Sequence, residues 1–172
     1  MTELTNHPLM LTLKDTVSGD GFLAGITLSG RALVRKEEDD KWWMYGVRPA
    51  GLCESGDTVK EAFSRFRGRY TEILFDIAEE SHDFETFKSL VEEFFHEHDA
   101  DDEDSRLWEE SLAQIRKGNI DPPDPFADLP RESPETKPAQ IMVERLDSQE
   151  KRFLRSDNVR DSYSLACLPC AA

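Results

Sequence analysis

A chain of 172 residues, 38% hydrophobic and 33% charged, is long enough for one domain with a real core. Its mean hydropathy of -0.61 implies that part of it packs into no core. A net charge of -15 sets the surface against nucleic acid and toward basic proteins, and it equally suits a solvated, solubilising helical layer. No apolar run is long enough to span a bilayer, and Met1 to Met10 lacks the basic-then-apolar pattern of a secretory signal. Cys53, Cys167 and Cys170 make no even set for disulfides, so a reduced, cytoplasmic protein is expected.

Leu9, Leu11 and Leu13 alternate with Met10, Thr12 and Lys14, the period of a first strand. Ser18-Gly19-Asp20-Gly21 reads as a turn, and Phe22, Ala24, Ile26 and Leu28 as a second strand. Ser29-Gly30-Arg31 is either another turn or a bulge before a third strand over Ala32 to Lys36. Glu37 to Asp40 forms a hairpin tip, and Lys41 to Val47 a fourth strand in which Trp43, Tyr45 and Val47 share a face. Trp42 points the other way. Exposed, it would be a contact anchor; otherwise a neighbouring element covers it. Short connections imply an antiparallel meander.

Pro49, Gly51 and Gly56 punctuate the crossing into a long helix, and Cys53 between them is expected to be small and buried. Thr58 and Glu61 form a capping box, the hydroxyl reaching forward and the carboxylate back to the cap backbone. Val59, Ala62, Phe63, Phe66, Tyr70, Ile73, Leu74 and Ile77 then recur at helical spacing. Gly68 inside that helix reflects close approach to the sheet or simple tolerance. Asp83 can cap a second helix with Phe84, Phe87, Leu90, Val91, Phe94 and Phe95 inward. A third runs from about Glu103 to Lys117, and Gly118 ends it. Residues 122 to 138 hold six of the nine prolines, an arm or linker from 119 to 138. The segment 139 to 172 is a tail with a short strand over Gln140 to Leu146.

Segments that carry chemistry elsewhere are incomplete here. The acids from Asp99 to Glu103, with Glu110 at position twelve, are spaced as in a calcium loop, but Asp104 stands where glycine is required. The acids suit a helix start instead. His96 and His98 are two apart and face different directions on a helix, so they chelate nothing together. The Cys167-Cys170 pair has no second pair and no room for a helix. No phosphate-cradling glycine loop occurs, and the first four strands offer a metal only Asp15 and Glu37. No metal and no cofactor are expected. Arg65, Arg67 and Arg69 form a ridge whose simplest role is pairing with nearby acids.

The central stretch resembles the HicB-like antitoxin family. The resemblance is carried by Val47, Pro49, Gly51, Gly56, Asp57, Thr58, Glu61 and Ala62, a strand leading through proline and glycine into Gly-Asp-Thr and a helix opening with Glu-Ala. It implies a small antiparallel sheet with a helix packed on it, and a protein that binds and inhibits a small basic RNA-cleaving toxin of the HicA type. The family places a strand soon after that helix, whereas two acidic helices intervene here. Members that bind DNA end in a helix-turn-helix or ribbon-helix-helix. Over Gln140 to Arg155, Glu144, Asp147 and Glu150 offset the basic residues, which argues against DNA binding.

The expectation is thus an α+β fold over residues 1 to 118, a meander of three to four strands with a long helix on it and two more helices after it. Residues 54 to 115 hold 19 acids and 6 bases, a net -13. A non-enzymatic binding module follows, with Trp42, Glu92, Glu93, Asp101 and Asp102 as candidate contacts for a basic protein. The alternative is a self-associating domain, a homodimer paired through a free sheet edge.

Overall fold

The computed structural model describes residues 5–97, 103–118, 129 and 140–147, and the backbone of 164–166. Within these the fold is α+β, an antiparallel sheet carrying helices on both faces. β1 (Asn6–Gly19) and β2 (Phe22–Lys36) form one long hairpin, in unbroken register from Asn6 opposite Arg35 to Gly19 opposite Phe22. The second and third strands expected from sequence are therefore one strand. Ser29-Gly30-Arg31 looks like a turn for a different reason: a Cβ on Gly30 would lie 2.3 Å from the Arg48 carbonyl oxygen. Glycine there admits the neighbouring strand, and the pairing between β2 and that strand slips at Arg31.

β3 (Trp42–Arg48) pairs with the Arg31–Lys36 half of β2. The stretch after it, expected as a loop, is a further strand, β4 (Ala50–Gly56), paired to β3 beyond the cis Arg48–Pro49 peptide. The alternation at Gln140 becomes β5 (Gln140–Arg145), which pairs with the Ala24–Ser29 half of β2. β3 and β5 thus share one edge of β2. β6 (Ser164–Ala166) pairs with Met10–Thr12 of β1.

Three helices cover the sheet. α1 (Val59–Glu80) buries Val59, Ala62, Phe63, Phe66, Tyr70, Leu74 and Ala78, while Ile73 and Ile77 pack at the margin. Thr58 Oγ1 accepts from the Glu61 amide at 3.1 Å, and Glu61 Oε2 accepts from the Asp57 amide at 2.8 Å. The cap closes as expected on the threonine side. On the glutamate side it closes one residue earlier than Thr58, with Glu61 Oε1 held by Arg65 at 2.6 Å. A Cβ on Gly56 would lie 2.6 Å from the Ala62 amide nitrogen, so Gly56 lets the helix start against the end of β4.

α2 (Phe84–His96) is capped by Asp83, whose Oδ1 accepts from the Thr86 amide at 2.7 Å. That bond holds the Asp83 carboxyl below its ordinary range. Leu9, Leu11 and Leu13 of β1, Ala24, Ile26 and Leu28 of β2 and the apolar stripes of α1 and α2 form one core, which also takes in Leu129 of the proline-rich segment.

α3 (Glu103–Arg116) lies on the opposite face. Its Trp108 and Leu112 join Met10, Leu33 and Val47, the residues that alternate with those of the main core. The helices therefore form two layers, α1 and α2 on one side of the sheet and α3 on the other.

Gly68 has open space where a Cβ would stand and is exposed, so tolerance explains it and close approach does not. Gly68→Ala is expected to stabilise the protein by about 0.5–1 kcal/mol through helix propensity alone. Thermal melting should show a rise of a few degrees; a fall would mean that glycine is required there.

Candidate functional site

The tip of the β2–β3 hairpin carries an open cleft on the α3 side of the sheet, lined by Arg35, Glu37, Glu38, Asp39, Trp43 and Tyr45. Alternation along the two strands places Arg31, Leu33 and Arg35 of β2 on the same face as Trp43, Tyr45 and Val47 of β3. Arg35 lies opposite Trp43, and Leu33 opposite Tyr45. The rings of Trp43 and Tyr45 run nearly parallel, 18° apart with centroids 6.0 Å apart. The Arg35 guanidinium sits 4.5 Å from the Tyr45 centroid, a cation–π contact.

The hairpin tip folds over this stack through its own backbone. Asp40 adopts φ 62°, the Asp40 amide donates to the Glu37 carbonyl at 3.0 Å, and the Glu37 amide donates to the Lys41 carbonyl at 3.0 Å. Glu37 is thereby turned inward, where Oε1 accepts from both Arg35 Nε and the Tyr45 hydroxyl, the latter at 2.8 Å. Asp39 accepts from Trp43 Nε1 at 3.2 Å and from the Lys41 amide at 3.1 Å.

Burial would push the Glu37 carboxyl up, but the bonds from Tyr45 and Arg35 outweigh it and hold the carboxyl below its ordinary value. Burial, reinforced by the hydrogen bond to Glu37, pushes the Tyr45 phenol up to about 12. A phenol raised in the folded state stabilises fully below its unfolded value of about 10 and loses that contribution as pH climbs toward 12. Glu37 runs the other way: its contribution is whole above the ordinary carboxylate range and is lost as pH falls through the lowered value. Tyr45→Phe should therefore flatten the fall in melting temperature between about pH 10 and pH 12. Identical slopes in wild type and variant would show that the phenol does not titrate in this bond.

On the same face, further along β2, Arg31 lies 4.5 Å from the Trp108 centroid and donates to Glu109 at 2.9 Å. Cys53 faces Tyr45 across the β3–β4 pair and is exposed, contrary to the buried position expected. Partial desolvation, then the charges of Glu54 and Asp104, push its thiol up.

The residues picked from sequence are scattered. Trp42 is half-buried against the main core, its ring 6.0 Å from that of His7, so it is covered and Trp43 is the ring beside the cleft. Glu92 and Glu93 lie on α2, half-buried and exposed respectively, on the other side of the sheet from the cleft. Asp101 and Asp102 lie outside the described residues, as do Cys167, Cys170 and His98. Pro49 sits in the β3–β4 turn, Gly51 and Gly56 on β4, and Thr58, Glu61 and Ala62 at the start of α1. Gly56, Thr58, Glu61 and Ala62 thus meet at the β4–α1 junction, whereas Pro49 and Gly51 lie at the other end of β4.

Asp15 and Glu37 are on opposite faces and each is already paired, so they form no joint metal site. Among the described residues no group of three or more His, Cys, Asp or Glu is placed to hold a metal ion. No helix among them is long and apolar enough to cross a membrane. Sequence reasoning missed the cleft because the acids at the hairpin tip read as solvent-facing. Comparison with protein-family models, with curated proteins and with solved structures gave no match.

Proposed function

We propose that this chain is a non-enzymatic, HicB-like binding module for a small basic protein, acting as an antitoxin does on an RNA-cleaving partner. The observation that carries the reading is the junction itself. Gly56 admits the first turn of α1, Thr58 caps it, Glu61 closes it onto Asp57, and Ala62 packs beneath. Gly56, Asp57, Thr58, Glu61 and Ala62 are five of the eight residues on which the resemblance rests, and Val47, Pro49 and Gly51 lie at the other end of β4. The net charge of -15 supports a basic partner, since opposite charge speeds encounter and disfavours acidic competitors.

Coexpression with the product of a short basic reading frame beside this gene tests the proposal. The two should copurify at low salt and separate at high salt. A chain that elutes alone at low salt contradicts it.

A self-associating domain is the second reading. It draws on β4, which pairs with β3 on one side and with no described strand on the other. Sedimentation should then show a dimer at high concentration, and a monomer there removes this reading.

A further inference from the structure

The α3 face of the sheet repeats one arrangement. Arg31 stacks on Trp108 and is held by Glu109 at 2.9 Å. Arg35 stacks on Tyr45 and is held by Glu37. In each case an aromatic ring supplies the flat surface and a glutamate supplies the countercharge, which together suit a planar guanidinium. Trp43 offers the third ring of the row, with the carboxylates of Glu38 and Asp39 beside it in the same cleft. Among the described residues it has no cation over its face. Glu38 is exposed and makes no hydrogen bond or ion pair among the described residues. Asp39 is fixed by the Trp43 indole and the Lys41 amide, and so is held in place at the ring edge.

We propose that the cleft over Trp43 seats an arginine side chain of the basic partner, stacked on the indole and paired with Glu38 and Asp39. This rests on the binding role proposed above and adds the place and the group that is gripped. Charge decides the occupant. The cleft carries three carboxylates against one arginine, and that arginine is already taken up by Glu37 and Tyr45. An anionic or apolar segment would leave Glu38 and Asp39 facing like charge or no charge, whereas a guanidinium satisfies both and covers the ring. Indole is also the strongest of the aromatic cation platforms.

The test uses the full chain and a blocked peptide of alternating glycine and arginine, with the lysine counterpart as comparison. Trp42, Trp43 and Trp108 each contribute an indole N–H resonance, and buried Trp108, which donates to the Leu9 carbonyl, is the internal control. The arginine peptide should shift the Trp43 resonance saturably and leave the Trp108 resonance in place. The lysine peptide should bind several-fold more weakly, and Glu38→Gln with Asp39→Asn should weaken the arginine peptide about tenfold. Glu92→Gln with Glu93→Gln, on the far side of the sheet, should change nothing. A Trp43 resonance that does not move, or equal losses in the two double variants, overturns the proposal. If the basic protein still copurifies while the peptide leaves Trp43 unmoved, the arginine seat is wrong and the binding role stands. If the peptide binds at Trp43 and no basic protein copurifies, the binding role is wrong and the seat stands.

Discussion

Trp108→Ala is expected to cost about 3–5 kcal/mol and to lower the melting temperature by on the order of 10 °C. Trp108 is 2% exposed and is the largest side chain between α3 and the sheet. Among the described residues that second core has five buried members, with Tyr45 and Leu107 packed against them, and Trp108 is the bulkiest. The indole also donates to the carbonyl of fully buried Leu9 at 3.2 Å, a bond whose loss leaves a buried acceptor without that partner. Its loss leaves Arg31 without its ring and leaves Met10 and Leu33 facing a cavity. Hydrogen exchange should localise the damage, with α3 amides losing protection and α1 amides keeping it. A melting temperature within a degree or two of wild type would mean that α3 is not docked through this residue.

Arg67→Ala is expected to be comparably severe, about 3–5 kcal/mol, because it strands a buried carboxylate. Arg67 on α1 makes a two-pronged pair with Asp15 on β1, Nη1 to Oδ2 at 2.7 Å and Nη2 to Oδ1 at 3.0 Å. The side chains are only 12% and 8% exposed. The guanidinium further donates to the Lys14 carbonyl at 3.0 Å, so it ties the helix to the strand at three points, and to Thr71 Oγ1 of its own helix at 2.8 Å. The ridge of arginines is thus divided. Arg65 and Arg69 pair with Glu61 and Glu72 on the exposed surface, where ion pairs are worth little, and Arg65 also donates to the Ser55 carbonyl of β4 at 2.9 Å, whereas the Arg67 pair is buried. Replacing both partners, Arg67→Met with Asp15→Leu, should recover most of the loss. Denaturant melts that place the double variant below the single one would contradict this account.

Tyr70, one turn on, supplies the contrast. Its ring is 1% exposed, and its hydroxyl is buried with no hydrogen-bond partner among the described residues. Burial, then the nearby charge of Asp15, pushes that phenol up, so it stays neutral. Tyr70→Phe is expected to be neutral or stabilising by up to about 1 kcal/mol, where Phe for a bonded tyrosine would destabilise. A clear loss of stability on thermal melting would mean that the hydroxyl is bonded in solution.

The helices were legible because stripe and cap agreed. Thr58 and Asp83 mark the starts, and Val59 to Ile77 and Phe84 to Phe95 keep a helical period to their ends. A stripe says that a helix buries a face, not which side of a sheet receives it, and so the side that α3 covers was not legible from its own residues. A signal existed. Leu9-Met10-Leu11 and Ala32-Leu33-Val34 are apolar at both parities, which means that both faces of those strands are covered. β4 was missed because Leu52 is its one large inward apolar residue, among Gly51, Cys53, Glu54 and Ser55. Pairing to β3, not pattern, makes it a strand. The cleft was half legible. The period-2 spacing of Trp43 and Tyr45 put both rings on one face, but their meeting with Arg35 and Glu37 depends on cross-strand register and on a backbone turn at Asp40.

The proposed binding role requires an electrostatic grip on a basic protein. Calorimetric titration of the chain with the product of a short basic reading frame beside this gene, at about 50 mM and about 500 mM salt, measures that grip. Affinity should fall at least about tenfold between the two, with the low-salt affinity reduced by Trp43→Ala. Binding of equal strength at both salt concentrations, or no heat of binding at the lower one, would contradict it.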